Sequence, residues 1–218
     1  MKGDKLVIEK GHVKAARQTA ELLLPQITST RGRFVITIAG ESGSGKSEIA
    51  AVLSDILSQR DIKSIILQQD DYFVYPPKTN AEMRRKDIGH VGLSEVRLVL
   101  LDQNLKDIVE GKSEIVKPLV IFDEDRITEE TLKLKGIKVV IVEGTYTTTL
   151  KNTHRHIFIG RTYIDTKETR GRRAREKQDE FLEKVLEIEH SIISSQKDQA
   201  DIIVTADFEV RNNEAAKK

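Results

Sequence analysis

The stretch ITIAGESGSGKSEIAAVL, Ile36 to Leu53, runs an apolar segment into a glycine-rich loop and out into a pattern of helical spacing. Within it, Gly40 to Ser47 spell G-x-x-x-x-G-K-S. A buried strand before that spacing and a helix after it give the context of a phosphate site. Glycines at 40, 43 and 45 let main-chain N–H groups approach a polyphosphate, and the helix starting near Lys46 adds its positive end. Lys46 supplies a movable ammonium for the β- and γ-phosphates, and Ser47 a hydroxyl for Mg²⁺. The loop formed by Gly40, Glu41, Ser42, Gly43, Ser44, Gly45, Lys46, Ser47 and Glu48 therefore reads as a cradle for a nucleoside triphosphate rather than an ordinary Gly/Ser turn.

Working outward, RFVITIAG is the strand that enters the loop, and Ile49, Ala50, Leu53, Ile56 and Leu57 continue the helix that leaves it. KSIILQQDDYF reads as a second buried strand with its polar end at Gln68 to Asp71. IKVVIVEG is a continuous apolar run, the mark of a strand buried on both faces of a parallel sheet. RHIFIG and ADIIVTA look like two more strands. Strands alternating with helices imply an α/β fold, a parallel β-sheet with helices on both faces. Before the first strand, Ala16, Ala20, Leu23, Leu24 and Ile27 share one helical face, in a helix expected to stop near Pro25. Val74 to Gly92, with two prolines and no clear period, reads as a long binding loop or lid. Ser94 is expected to cap a helix running to about Glu110, ended by Gly111.

Composition narrows the function. Lys+Arg 36 nearly balances Asp+Glu 35 in the 218 residues, and aromatic residues are few, which argues against a nucleic-acid partner. Cysteine is absent, so disulfides, thiol catalysis and thiolate metal sites are excluded. No apolar run is long enough to cross a bilayer, and MKGDKLVIEKGHVK lacks the apolar core of a signal peptide, so the expectation is a cytoplasmic protein without a membrane partner. Neither Asn-Lys-x-Asp nor a strand-end Asp-x-x-Gly is found, which disfavours a GTPase switch.

Glu143 closes VVIVEG, where a carboxylate at a strand's C-terminal end can hold Mg²⁺ beside the loop. Asp70 and Asp71 end the second strand and should face the space beyond the γ-phosphate. A carboxylate there can accept the proton of an attacking hydroxyl, and Asp70 is the better candidate. Arg170, Arg172, Arg173 and Arg175 crowd one short stretch. Guanidinium groups match the charge spread over a transferring phosphoryl group, so the cluster reads as a lid, with Arg173 on the reacting phosphate and Arg170 and Arg175 on the nucleotide.

Together these residues resemble the uridine kinase/phosphoribulokinase group of P-loop kinases, over roughly Arg33 to Ala206. GESGSGKS is similar to its P-loop, QQDDYF to its strand-end motif, VIVEG to its Glu-Gly strand, TRGRRARE to its Arg-rich lid and ADIIV to its final strand. The resemblance implies a three-layer P-loop fold and Mg²⁺-dependent transfer of the ATP γ-phosphoryl group to a hydroxyl, often on a nucleoside. It maps the catalytic base to Asp70. A homo-oligomer is also in keeping with it. The pyrimidine-reading segment departs from the group's pattern: KPLVIFDEDR keeps Arg126 but no tyrosine or histidine, and Asp87 matches the ribose-gripping aspartate only after a shift. The expected organisation is an N-terminal helical extension (1–30), a P-loop kinase domain (31–210) and a polar C-terminal tail (211–218). The competing expectations are a kinase for another hydroxylated metabolite (nicotinamide riboside, pantothenate or a sugar phosphate) and a nucleotide-binding regulatory protein without an acceptor.

Overall fold

Alternation along one strand decides where the core sits. In β1 (Phe34–Gly40), Phe34, Ile36 and Ile38 join one buried cluster and Val35 and Ala39 another, on opposite faces of the sheet. The computed structural model describes residues 6–173 and 179–215. Its main sheet has six strands. β2 (Ser64–Gln68), β5 (Val139–Glu143), β1, β6 (Arg155–Ile159) and β7 (Ile202–Val204) lie side by side in that order, all parallel. β8 (Val210–Asn212) closes the edge antiparallel to β7. A separate antiparallel hairpin is formed by β3 (Glu114–Ile121) and β4 (Arg126–Lys133).

Helices cover both faces, as the α/β pattern predicts. On one side α1 (Lys10–Ser29) and α2 (Lys46–Ser58) bury Ala16, Leu23, Ile49 and Leu53 against Ile36 and Ile38. On the other, α4 (Leu98–Val109) contributes Leu101, Leu105 and Ile108, and α6 (Glu180–Ser194) contributes Ile193, against Val140, Val142 and Phe158. No helix among the described residues is long and apolar enough to cross a membrane.

The structure revises several boundaries. α1 runs through Pro25 to Ser29, because the proline ring sits on the exposed side while Leu23 and Ile27 hold the helix in the core. The segment expected as an N-terminal extension thus shares the core of the main sheet. The segment read as a long loop contains α3 (Pro77–Lys86), with proline in its first turn. Only Asn80 of that helix is buried, so no apolar period announced it. Its N-terminal Lys78 and Thr79 N–H groups donate to Asp125 in the hairpin turn, at 2.7 and 3.1 Å. Ser94 lies in a 3-10 turn, Leu93–Glu95, and α4 starts later, at Leu98. The tail expected from 211 begins inside β8, whose Val210 N–H also donates to Gln18 of α1 at 3.0 Å.

Two consequences are measurable. Leu23→Ala should lower stability in urea by ~2–5 kcal/mol in a single transition, as expected of a fully buried leucine; a loss below ~1 kcal/mol, or a separate early transition for α1, would contradict its place in the core. His156 is wedged between Thr37 (2.8 Å) and Thr153 (3.1 Å), and burial holds its imidazole below the usual 6.5. The unfolded chain then binds more protons, so the His156 contribution is complete above about pH 6.5 and lost as pH falls. The stability of wild type relative to His156→Gln should therefore shrink between about pH 7 and pH 5. A difference that stays level or grows would contradict it.

Candidate functional site

β1 ends at Gly40 and α2 begins at Lys46, so the glycine-rich loop lies at the C-terminal edge of the parallel strands. Gly45 has φ +101°, and a Cβ there would come within 2.7 Å of His12 Nε2. The first turn of α1 thus packs directly against the loop, which leaves room for hydrogen alone at this position. Lys46 Nζ donates to the Glu41 carbonyl at 2.9 Å, folding the ammonium back over the loop.

Glu143 ends β5 between the ends of β1 and β2, opposite Ile38 and Gln68. Its Oε1 accepts hydrogen bonds from Ser47 Oγ at 3.1 Å and Gln68 Nε2 at 3.2 Å. Burial pushes its carboxyl up to about 7; the nearby negative charge of Asp70 adds to the rise, and the Lys46 ammonium opposes it. Asp70, Lys46 and Ser47 therefore all act on Glu143 at the C-terminal ends of the strands. The Ser47 hydroxyl and these carboxylates are hard oxygen donors. Among the described residues no group of three His, Cys, Asp or Glu side chains is arranged to hold a metal unaided. A sparse, all-oxygen set fits Mg²⁺, which keeps several waters and takes further ligands from substrate phosphates.

The strand-end motif forms a 3-10 turn, Gln69–Tyr72, and each of its buried residues is tied to a different element. Gln69 Oε1 accepts from Tyr146 N–H at 2.7 Å. Asp71 Oδ1 accepts from Val120 N–H at 3.0 Å and Oδ2 from Lys117 Nζ at 2.7 Å. Tyr72 Oη donates to Asn104 Oδ1 at 2.9 Å. The tight turn sends Asp70 and Asp71 in different directions: Asp71 is 3% exposed and anchors the hairpin, while Asp70 stays half-buried beside Glu143. The glycine after Glu143 has a packing reason too, since a Cβ on Gly144 would meet Gln69 Cβ at 2.2 Å.

Two acidic members of the predicted cradle are committed to the protein itself. Glu41 accepts from Tyr163 N–H through one oxygen and pairs with His190 Nδ1 at 2.7 Å through the other. Glu48 is buried in the first turn of α2. Both belong to the loop through their main chain. The predicted lid begins at α5 (Lys167–Arg173). Thr166 Oγ1 donates to the Ser42 carbonyl at 2.9 Å, and Arg170 packs beside Gly43 while donating to Thr166 Oγ1 at 2.6 Å and to the Tyr163 carbonyl. Arg170 thus seats the start of α5 on the loop. Arg175 and the side chains of Arg172 and Arg173 lie outside the described residues. Asp87 caps a local turn by accepting from Gly89 N–H at 2.9 Å, and Arg126 pairs with Glu124 on the exposed hairpin tip.

The sequence reading missed the hairpin anchor, the His190–Glu41 contact and the His12 wedge. Lys117, a lone cation in the apolar run EIVKPLVI, was the one available signal for the first. Beside Ser47 and Glu143 a cavity of ≈450 Å³ opens between α2, β2 and the hairpin.

The comparisons with known proteins agree with this geometry. A family model described as "Phosphoribulokinase / Uridine kinase family" matches residues 35–210. The bifunctional alpha-galactosidase/sucrose kinase of Mediterraneibacter gnavus is 29% identical over 196 residues, covering 84% of this chain; the chain spans only 21% of that protein's length. The uridine kinase of Lactobacillus johnsonii is 30% identical over 185 residues, covering 78% of this chain and 85% of that protein. Phosphoribulokinase from Rhodobacter spheroides superposes with a TM-score of 0.63 at 14% identity, covering 81% of this chain and 71% of that one, a likeness of fold.

The hairpin anchor is testable by itself. Lys117→Met strands the Asp71 carboxylate in a buried site and should cost ~3–5 kcal/mol in urea unfolding, with a good part regained in Lys117→Met/Asp71→Asn. A loss under ~1 kcal/mol would show that the pair does not hold the hairpin.

Proposed function

The chain belongs to the phosphoribulokinase/uridine kinase family, and on that premise we propose that it is an ATP-dependent kinase transferring the γ-phosphoryl group to a hydroxyl of a small metabolite. The observation that carries this reading is the convergence of Asp70, Glu143, Lys46 and Ser47 at one crevice beside a cavity large enough for an acceptor. The glycine-rich loop and the N-terminus of α2 cradle the triphosphate. Ser47 and Glu143 would hold Mg²⁺, which when bound neutralises charge on the β- and γ-phosphates. Lys46 swings from the Glu41 carbonyl onto the phosphates.

Asp70 then does the proton chemistry. As the acceptor oxygen bonds to the γ-phosphorus and the bond from that phosphorus to the β,γ-bridging oxygen breaks, the hydroxyl proton passes to Asp70 and later to water; the products are a phosphate monoester and ADP. The buried neighbours Gln69 and Asp71 keep Asp70 in place during the step. The resemblance and the uridine kinases among the relatives support a uridine-like nucleoside as acceptor. The sucrose kinase relative supports a carbohydrate.

Asp70→Asn should bind Mg·ATP as wild type does, while its acceptor-dependent turnover falls by ~10²–10⁴-fold. Near-full turnover in that variant would remove Asp70 as the base. Nucleotide binding by the wild type, with no transfer to any of a broad set of alcohols, would favour a regulatory nucleotide-binding protein instead.

A further inference from the structure

The hairpin brings an unusual set of charges to the cavity. Lys117 and Glu130 stand directly opposite each other in the β3–β4 register. The Lys117 ammonium is buried and faces three acceptors, Asp71 at 2.7 Å, the Pro118 carbonyl at 3.0 Å and Glu130 at 3.3 Å. Those match its three N–H donors, so the one cation among the described lining residues is already engaged. Asp71 directs its two oxygens at Lys117 and Val120 N–H. Glu130, with 40% of its side chain exposed, is the hairpin group with acceptor capacity left for a ligand.

Apart from Gln68, whose amide donates to Glu143, the remaining walls are aliphatic, with Ala51, Ile65, Leu119 and Leu132 among them, and neither an aromatic ring nor an arginine is among the described lining residues. Such a cavity offers no platform for stacking a nucleobase. Even with Glu143 given to the metal, the carboxylates Asp71 and Glu130 outnumber the single ammonium among the described lining residues, Lys117, so a carboxylate or phosphate on the acceptor would meet net repulsion. Hydroxyl groups, which donate to carboxylates and carry no charge, suit it. Ser47 and Glu143, beside which the terminal phosphate would lie, are part of its lining.

Resting on the kinase reading above, we propose that this cavity is the acceptor site and that Glu130 selects an uncharged polyhydroxylated acceptor, a sugar or polyol, over nucleosides and anionic acceptors. One hydroxyl reaches the phosphate end and gives its proton to Asp70, while others donate to Glu130. The choice of acceptor is thus written in the hairpin, and the transfer chemistry in the strand ends.

The test is acceptor-dependent ADP release at saturating Mg·ATP, with neutral mono- and disaccharides and polyols, uridine, D-glycerate and a pentose phosphate as acceptors. A neutral sugar or polyol should give the highest kcat/KM. Glu130→Gln should raise the KM for that acceptor by about tenfold, the scale of a lost charge-assisted hydrogen bond, with kcat less affected. An unchanged KM for ATP in the same variant reports an intact fold. Preference for uridine or an anionic acceptor, or a Glu130→Gln acceptor KM within about twofold of wild type, would overturn the assignment while leaving the kinase reading standing. Transfer to no acceptor at all, with Mg·ATP still bound, would overturn both.

Discussion

Asp71, buried between Lys117 Nζ and Val120 N–H, ties the 3-10 turn at the end of β2 to the β3–β4 hairpin. A carboxylate and an ammonium this far from water are tolerable only together, so neither partner can move without stranding the other. Gln69 adds a second tie to Tyr146 just past β5, and Gly144 leaves it the space. With its neighbours fixed on both sides, Asp70 has little freedom except to face Glu143 and the loop. The hairpin is thereby held at the same crevice, which joins the wall of the cavity to the carboxylates at the strand ends.

Much of this was legible in the sequence, because the strongest signals there are local. The run from Ile36 to Leu53 announces strand, loop and helix through spacing alone, and VVIVE declares a strand buried on both faces. The charged end of β2 was also readable. Elements stabilised by distant partners were not. α3 is polar almost throughout and gains its first-turn acceptor from Asp125, which lies 46 and 47 positions away from its two donors. β4 carries charged residues along its length, and its pairing with β3 leaves no apolar run to read. The different settings of Asp70 and Asp71, one half-buried near Glu143 and the other buried against Lys117, depend on a tight turn that no pattern of residue types specifies.

The loop is braced from three sides by residues that a motif search passes over. His12 from α1 fills the space above Gly45. Thr166 and Arg170, at the start of α5, rest on Ser42 and Gly43. His190 from α6 reaches Glu41, whose other oxygen holds the Tyr163 N–H ahead of α5. Anchored loop geometry of this kind favours catalysis by position and electrostatics, which is what phosphoryl transfer asks of a protein. The helix ahead of the family-matched segment is therefore part of the site's support.

The most direct measurement is a crystal structure of the protein with Mg²⁺, a non-hydrolysable ATP analogue and its acceptor bound together. The account predicts the Asp70 carboxylate at about 3 Å from the acceptor hydroxyl that faces the terminal phosphorus, with Ser47 and Glu143 on the metal side of the same phosphate. An acceptor hydroxyl beyond reach of Asp70, or an Asp70 side chain turned out of the crevice when both substrates are present, would contradict it.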